Sequence, residues 1–307
     1  MRGLNALLAT VTTRASAPVI LAQRLRKGSC GSPRGAKRLV ADALRTLAGL
    51  ARNPAGTKAL LRSDSAFYAH EVVNTALRNG ADVSITVRMD QKVKGAIARV
   101  PEDAWQTIQY TDAIYNEDTG QWISRAEVAE IEFTAFTSKK KSQQVPGRLV
   151  VRRIPDLNPK AEQGQATLFD TWRFHAFFTT TDPDVMDTVT ADKTHRGHAI
   201  IEQVHADLKN SALAHLPSGS FPANSAWLVL AVIAFNLTRA AATLAGPALA
   251  KATTGTIRRK LISVPARIAC SARRLTLHLP HDWPWETGWT NLFLSACGTG
   301  PPAPATT

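Results

Sequence analysis

The chain has 307 residues, enough for one large domain or two of ordinary size. Hydrophobic residues make up 44% and charged residues 20%, a composition that excludes a wholly disordered chain. The formal net charge of +13 points to a polyanionic partner, because the planar guanidinium of Arg suits phosphate. A generic basic protein is the other interpretation. Cys30, Cys270 and Cys297 form no CxxC pair, which disfavours a disulfide framework or zinc ribbon and fits a reducing cytoplasm.

The apolar segments do not indicate a membrane protein. A short apolar run at the N-terminus is interrupted by Arg2 and Asn5, so we expect no signal peptide. The most hydrophobic segment, 226–235, is too short to cross a hydrocarbon layer of roughly 30 Å. We expect Asn236 and Arg239 to close this segment. It therefore predicts a buried helix and no membrane partner.

The first ninety residues predict alternating strands and helices. Short apolar, β-branched runs predict strands, and apolar residues three and four positions apart predict helices. In order, the elements are a hairpin of 4–13 and 17–23, a helix at 35–50, a strand at 59–61, a helix over 66–80 and a strand at 82–89. Asp64 lies just after the third strand, where open α/β sheets place their sites. Capping of the next helix by Asp64 or Ser65 is the alternative.

Between 123 and 181, polar and apolar residues alternate strictly. This pattern predicts a block of antiparallel strands with one face exposed to solvent. Lys139, Lys140 and Lys141 form an exposed basic loop within it. Two helices over 225–245 and 248–259 and a strand at 275–279 follow.

The aromatic residues near the C-terminus predict packing anchors rather than a site. A metal site using His278, His281 and Asp282 is the less favoured alternative. The Gly, Pro and Thr-rich residues 298–307 predict a disordered tail.

The stretch from His195 to Lys209 predicts a helix with two distinct faces. Ile201, Val204 and Leu208 form an apolar stripe suited to a core. An adjacent face carries a carboxylate, two imidazoles and an ammonium, which belong to His198, Glu202, His205 and Lys209. A solvated basic face with one acidic partner is the alternative interpretation.

Together these features resemble bacterial insertion-sequence transposases of the DDE type. The likeness runs along essentially the whole chain, and its sharpest stretches are RSDSAFY, SRAEVAEIEFTAFTSKK, GRLVVRRIPDL, the Glu202 helix and AWLVLAVIAFNLTRAA. The resemblance implies an α/β fold, namely an RNase H-like mixed sheet with helices, interrupted by an antiparallel β insertion between the second Asp and the Glu. It also implies two-metal cleavage and strand transfer of DNA with Mg²⁺ or Mn²⁺.

The resemblance assigns roles to individual residues. Asp64 stands for the second Asp and Glu202 for the Glu, and both are expected to be metal ligands. Lys209 fits the Lys that follows the Glu by seven positions and contacts phosphate. His195 and His198 occupy the Tyr and Arg places of that motif, which puts the phosphate contacts there in doubt.

The DNA-binding residues expected from this comparison are cationic or hydrogen-bonding side chains near the motif and in the basic loop. They are Arg196, His198, His205, Lys139, Lys140 and Lys141. Trp105, Trp122 and Trp172 lie in or near the insertion, where a Trp in related enzymes holds a flipped base. Packing of the strands is the favoured interpretation for these three.

The resemblance leaves the first Asp unassigned. Asp42 is the single acidic residue before Asp64, and it falls in a predicted helix rather than at a strand tip. We therefore expect an N-terminally shortened chain without the first strand, with open sheet edges and little or no catalysis.

The expected segments follow from this comparison. They are an RNase H-like part at 1–95, a β-rich insertion at 96–190, a second RNase H-like part at 191–260, a packing segment at 261–297 and a tail at 298–307.

The expected partners are the terminal inverted repeats of the element, target DNA and a second copy in a homodimer on DNA. The expected location is the bacterial cytoplasm, at the nucleoid. One alternative is a non-catalytic DNA-binding or subunit-pairing remnant that modulates the full-length enzyme. A general nuclease of the same superfamily is a further alternative.

Overall fold

The computed structural model describes residues 3–13, 16–31, 33–50, 58–116, 121–155 and 172–298. The strands in chain order are β1 (Leu4–Val11), β2 (Val19–Lys27), β3 (Leu60–Ser63), β4 (Asp82–Thr86), β5 (Gln106–Asn116), β6 (Gln121–Ala135), β7 (Val145–Pro155), β8 (Trp172–Thr179), β9 (Arg267–Ser271) and β10 (Arg274–His278). The helices are α1 (Ala36–Leu50), α2 (His70–Arg78), α3 (Gln91–Ile97), α4 (Thr188–Arg196), α5 (Ile200–Lys209), α6 (Phe221–Ala245), α7 (Pro247–Ala250), α8 (Thr254–Ile257) and α9 (Glu286–Cys297).

The chain divides into two compact units. One comprises residues 31–198, and the other combines residues 1–30 with residues 199–307. The first holds a six-stranded mixed sheet with helices, and the second holds two small antiparallel sheets and the long helix α6. This confirms the predicted α/β class and is consistent with an RNase H-like fold.

The large sheet has the order β3-β4-β8-β7-β6-β5. β3 and β4 run parallel, whereas every other pair in this sheet is antiparallel. β8 pairs with both β4 and β7, so the strands of the predicted insertion continue the sheet that holds β3. The packing between β7 and β8 is close, because a Cβ on Gly147 would lie 2.8 Å from the Phe178 ring.

Buried arginines that pair with carboxylates link the strands of this sheet to each other and to neighbouring segments. The Arg148 side chain pairs with Glu130 and also donates to the Thr181 carbonyl at 2.9 Å. Arg153 binds Glu102 at 2.7 Å and Glu127 at 2.5 Å. A guanidinium can donate hydrogen bonds to several acceptors at once. A buried arginine needs such partners, because its charge is no longer solvated by water.

The core of the second unit forms where α5 and α6 pack against the β1–β2 hairpin. Ile20 from β2, Val204 and Leu208 from α5, and Leu228 and Phe235 from α6 are all buried in one cluster. This confirms the apolar stripe predicted for α5.

Two polar residues within α6 secure that packing. Asn236 hydrogen-bonds both backbone groups of Ile20, accepting from its N–H at 2.9 Å and donating to its carbonyl at 2.8 Å. Arg239 pairs with Asp207 of α5 and donates to the Ala252 carbonyl. Asp207 also accepts from the Thr254 backbone N–H at 3.0 Å. The helix predicted over 225–245 is confirmed to its end at Ala245, and the two polar residues that close its most hydrophobic segment have partners inside this unit.

Other predicted elements are confirmed or corrected by the structure. The hairpin, the helix at 35–50, the strand before Asp64 and the strand after Gly80 are all present. The predicted single helix over 195–209 is wrong: α4 ends at Arg196, a 3₁₀ turn spans Gly197–Ala199, and α5 begins at Ile200. The sequence missed α3, β9 and α9. The predicted tail beyond Gly298 lies outside the described residues.

Helix α6 needs a further correction. It spans 25 residues and, among the described residues, is the one helix long and apolar enough to cross a membrane by length and composition. However, 39% of its most hydrophobic window is buried inside the protein. The expectation of a buried helix therefore holds for one face of α6 and fails for the other, which is exposed.

The Asp207–Arg239 pair should be a large contributor to stability. The Arg239→Met variant removes the cation and leaves the Asp207 carboxylate buried, at 9% side-chain exposure. We expect the free energy of unfolding, measured by urea denaturation, to fall by about 3–5 kcal/mol.

The matched control is the exposed Arg45–Asp42 pair, whose side chains are 77% and 33% exposed. Arg45→Met should change the same quantity by less than about 1 kcal/mol. An equally small change for Arg239→Met would contradict the role assigned to the buried pair.

Candidate active site

Asp64 lies where the sequence places it, directly after β3. Because β3 and β4 are parallel, their carboxyl ends meet at one edge of the sheet. Asp64 is exposed and caps the short 3₁₀ helix Ser65–Phe67, accepting from the Ala66 backbone N–H at 2.9 Å. The capping alternative is therefore correct, although Asp64 caps this turn and not α2, whose N-cap is Ala69. Only one carboxylate oxygen is used, so capping leaves the other available.

His195 is built into the sheet near this edge. Its Nδ1 lies 2.8 Å from the Ser84 hydroxyl and its Nε2 lies 3.0 Å from the Thr86 hydroxyl. Its ring stacks on Phe177, with ring centroids 4.1 Å apart. Residues two apart on a strand share a face, so Ser84 and Thr86 hold both ring nitrogens. His195 is consequently buried and anchors α4 to β4 and β8.

A buried carboxylate one turn earlier in α4 restrains Arg196. Asp192 has a side-chain exposure of 3%, and its two oxygens meet Arg152 at 3.3 Å and Arg196 at 2.8 Å. Arg62 of β3 donates to the Thr194 carbonyl at 2.7 Å, which fixes the same helix end. The side chain of Arg196 as a whole is 36% exposed.

Helix α5 presents Glu202, His205 and Lys209 along one side, at spacings of three and four residues. Glu202 and Lys209 are exposed, while Val204 and Leu208 on the opposite side are buried. Glu202 lies in the first turn and Lys209 in the last, where the helix dipole favours each charge. Among the described residues, neither Glu202 nor Asp64 is in an ion pair.

His205 lies between these two charges and is half-buried. Burial is the main effect that lowers the pKa of its imidazole, and the Lys209 ammonium lowers it further, while the Glu202 carboxylate raises it. His205 is therefore neutral at pH 7 and suited to donate a hydrogen bond from one ring nitrogen.

Of the remaining side chains predicted to contact DNA, the structure describes the three lysines and leaves one histidine undescribed. Lys139, Lys140 and Lys141 are exposed in the connection between β6 and β7, as expected. The side chain of His198 lies outside the described residues.

A family model described as Transposase DDE domain group 1 matches residues 16–296. The chain belongs to the DDE transposase family. No curated protein matches it in sequence. Membership implies a DNA-acting transposase that uses divalent metal ions. The exposed carboxylates of Asp64 and Glu202 fit such ions, because hard divalent cations prefer oxygen ligands.

Asp64 belongs to the 31–198 unit and Glu202 to the other. Their convergence on shared ions therefore stays a prediction, as does the role of Lys209.

Two of the transposase's Trp residues have a structural role. The Arg153 guanidinium lies 4.3 Å from the Trp105 ring centroid and 4.5 Å from that of Trp172, so the rings enclose it. The packing interpretation is therefore correct for both. The side chain of Trp122 lies outside the described residues.

Near the C-terminus, the possible metal-binding cluster has a different third residue from the one that the sequence predicted. The ligand atoms of His281, Asp282 and Glu286 lie within 4.8 Å of one another, with Glu286 instead of His278. A local structural role accounts for Glu286, which accepts from the Asp282 backbone N–H at 3.2 Å in the first turn of α9. The positive end of the helix dipole disfavours a cation there.

Sequence reasoning missed the buried carboxylates Asp192 and Asp207. A usable signal existed for Asp207, because Arg239 in the middle of an apolar helix requires a buried acidic partner. The signal for Asp192 was its position four residues before Arg196.

The electrostatic arrangement on α5 predicts the titration of His205. Its pKa, followed by NMR of the imidazole nitrogens, should lie below the ordinary value. Lys209→Met should raise it, because a neighbouring positive charge that disfavours imidazolium is removed. Glu202→Gln should lower it further, because a negative charge that favours imidazolium is lost. Shifts in the reverse directions would contradict the arrangement.

Proposed function

We propose that this transposase cleaves DNA at the ends of an insertion sequence and joins the resulting 3′-hydroxyl to target DNA. Asp64 and Glu202 hold the metal ions, and Lys209 contacts the phosphate next to the cut. The site would act at the bacterial nucleoid on terminal inverted repeats and target DNA. When bound, Mg²⁺ or Mn²⁺ supplies Lewis-acid stabilisation of the attacking and leaving oxygens.

The observation that supports this assignment most is the availability of both carboxylates within a chain of the DDE family. Asp64 keeps one oxygen uncommitted at a strand end, and Glu202 is exposed on a helix whose opposite face is fixed in a core. A helix held on one side presents its other side in a constant orientation, which metal ligands require. Lys209 lies on the same face as Glu202, two helical turns away.

The DNA contacts follow from charge and exposure. Lys139, Lys140 and Lys141 extend into solvent and suit the phosphate backbone, where they give affinity without sequence preference. Arg196 and His205 are restrained by neighbours and suit directed contacts near the cut. His198 completes this proposed set through its place in the family motif. The protein would bind as a homodimer.

Iron-mediated polypeptide cleavage tests whether the two carboxylates share an ion. With Fe²⁺ in place of Mg²⁺ and ascorbate with peroxide added, hydroxyl radicals cut the chain beside the metal. We expect cuts near residues 64 and 202, read by mass spectrometry. Asp64→Asn should remove both cuts, and Glu202→Gln should also remove both, because each ligand contributes to the same site.

The control is Asp103→Asn, which changes an exposed carboxylate in a short 3₁₀ turn. It should leave both cuts in place. If Asp64→Asn removed only the cut near 64 and spared the cut near 202, the two residues would not share an ion.

A specific observation favours a second candidate, a DNA-binding chain with little catalysis of its own. Asp42 is the single acidic residue before Asp64. It lies on α1 with its carboxylate 3.3 Å from Arg45, which does not resemble a ligand at a strand tip. Two carboxylates hold two metal ions poorly, so this chain alone should cleave weakly. It would then modulate a complete enzyme through DNA binding or subunit pairing.

A strand-cleavage assay separates the two candidates. The substrate is DNA that carries both ends of the element encoding the chain. Little cleavage, with equal DNA retention for the natural chain and Glu202→Gln, would support the second candidate. Robust cleavage that Glu202→Gln abolishes would instead support the first candidate.

A further inference from the structure

The connection between β6 and β7, called here the lysine loop and comprising residues 136–144, begins with a strained residue. Phe136 has a φ of 59°, in the left-handed region that a bulky side chain rarely adopts. Such a conformation persists only where the surrounding contacts hold it, and it is concentrated at sites of function. Phe136 directly follows β6 and precedes Lys139 in the loop. Its contacts therefore determine how the lysines are presented.

The ring of Phe136 ties the lysine loop to the segment that follows β3. It stacks on the Tyr68 ring, with ring centroids 5.0 Å apart and an interplanar angle of 26°. The His70 ring meets it edge-on at 5.5 Å. Tyr68 is the C-cap of the 3₁₀ helix whose N-cap is Asp64, so a single short turn separates this contact from the proposed metal ligand. Tyr68 also packs against Phe178 of β8 at 6.2 Å, which fixes it to the large sheet.

A second anchor comes from the segment that follows β4. The Lys92 ammonium, in the first turn of α3, donates to the Thr134 carbonyl at 2.6 Å and to the Thr137 hydroxyl at 2.9 Å. These two acceptors lie on either side of Phe136 in the sequence. Since β3 and β4 are parallel, both anchors belong to chain that leaves the carboxyl edge of the sheet, where Asp64 lies.

The lysine loop is also held together internally. The Gln144 amide donates to the Thr137 carbonyl at 3.2 Å and to the Lys139 carbonyl at 3.0 Å, and Lys141–Gln143 forms a 3₁₀ turn. The side chains of Lys139–Lys141, in contrast, are exposed and have no hydrogen-bond or ion-pair partner among the described residues. An ordered backbone that carries three solvated ammonium groups suits the phosphates of DNA.

We propose that Phe136 and Lys92 are positioning residues that hold the lysine loop in a fixed place relative to Asp64. The ammonium groups of the loop then meet the DNA backbone beside the strand end that carries the proposed metal ligand. Phosphate contacts fix the register of a protein on DNA, and a rigid connection passes that register on to a site. All the anchoring contacts lie within the 31–198 unit. The inference rests on the proposed function for the DNA contact, whereas the anchoring can be measured without DNA.

Limited proteolysis with trypsin tests the anchoring on the full chain. Trypsin cuts after lysine but needs a mobile segment, so an anchored loop is cut slowly. Phe136→Ala removes the ring and no charge. We expect cleavage after Lys139–Lys141, read by mass spectrometry, to become roughly tenfold faster, because loss of the ring contacts favours local opening. Phe293→Ala is the matched control, because it removes a ring that stacks on Trp289 at 5.5 Å, and it should leave this rate unchanged.

A second variant keeps the test valid if Phe136→Ala misfolds. Lys92→Met removes the other anchor and leaves the aromatic contacts in place. Its matched control is Lys94→Met, which removes the same charge from an exposed position on the same helix. We expect faster cleavage of the lysine loop for Lys92→Met and the natural rate for Lys94→Met.

Fluorescence anisotropy with a short DNA duplex of random sequence measures how the loop is used. Replacing Lys139, Lys140 and Lys141 together by Gln should reduce the slope of log affinity against log salt by up to about 2.7, since each phosphate contact contributes about 0.9. Phe136→Ala should weaken binding about fivefold with an unchanged slope, because the charges remain but must be ordered on binding. Lys92→Met should weaken binding more than Lys94→Met, with the same slope as that control.

The outcomes separate this inference from the proposed function. If the triple Gln variant keeps the natural slope, the lysines do not contact DNA, and the proposed contact fails together with the inference. If the slope falls but Phe136→Ala and Lys92→Met are cut and bind like the natural chain, the proposed contact stands and the positioning roles are overturned. Faster cleavage with unchanged affinity would overturn them as well. A lower slope for Lys92→Met than for Lys94→Met would make Lys92 a direct phosphate contact instead of an anchor.

Discussion

The buried ion pair between Asp207 and Arg239 determines which side of α5 faces outward. Asp207 joins α5 to α6 through Arg239 and to the start of α8 through Thr254, so the helix cannot rotate without leaving charges unpaired. Val204 and Leu208 fix the same orientation by burial. Hydrophobic packing alone tolerates small rotations of a helix, whereas a directed ion pair does not. The exposure of Glu202 and Lys209 therefore follows from a residue that belongs to neither the apolar stripe nor the proposed site.

His195 shows how a position in a functional motif can take a structural role. Between Ser84, Thr86 and the Phe177 ring, its imidazole uses both nitrogens and one face. A Tyr has one polar atom at the tip of its ring, whereas the imidazole offers two nitrogens at separate ring positions. These contacts make His195 a rigid link between α4 and β4. Because β4 pairs with β3, a rigid contact on β4 also stabilises the strand that directly precedes Asp64.

The sequence predicted the elements that depend on a local pattern of residues. It did not predict features that depend on contacts between residues far apart in the chain. Alternation and apolar runs located the hairpin, the strand before Asp64 and the antiparallel block. The roles of Asn236 and Arg239 in packing could not be predicted, because their partners, Ile20 and Asp207, lie 216 and 32 residues away. The break at Gly197 was missed, because a single Gly does not by itself end a helix. Local pattern placed Asp64 and Glu202 on their elements, but their mutual placement depends on the arrangement of two units.

The distribution of cations refines the meaning of the net charge. Some of the arginines, the residue type that suggested phosphate binding in the sequence, are buried inside the protein. Arg148, Arg153 and Arg239 each pair with carboxylates and are at most 10% exposed at the side chain. These forks satisfy acceptors that burial would otherwise leave without partners. The acidic partners are consumed with them, so the surplus of positive charge is carried by exposed groups such as Lys139–Lys141. The positive field that attracts DNA is thus produced by exposed lysines together with exposed arginines such as Arg258 and Arg259, while the buried arginines shape the scaffold.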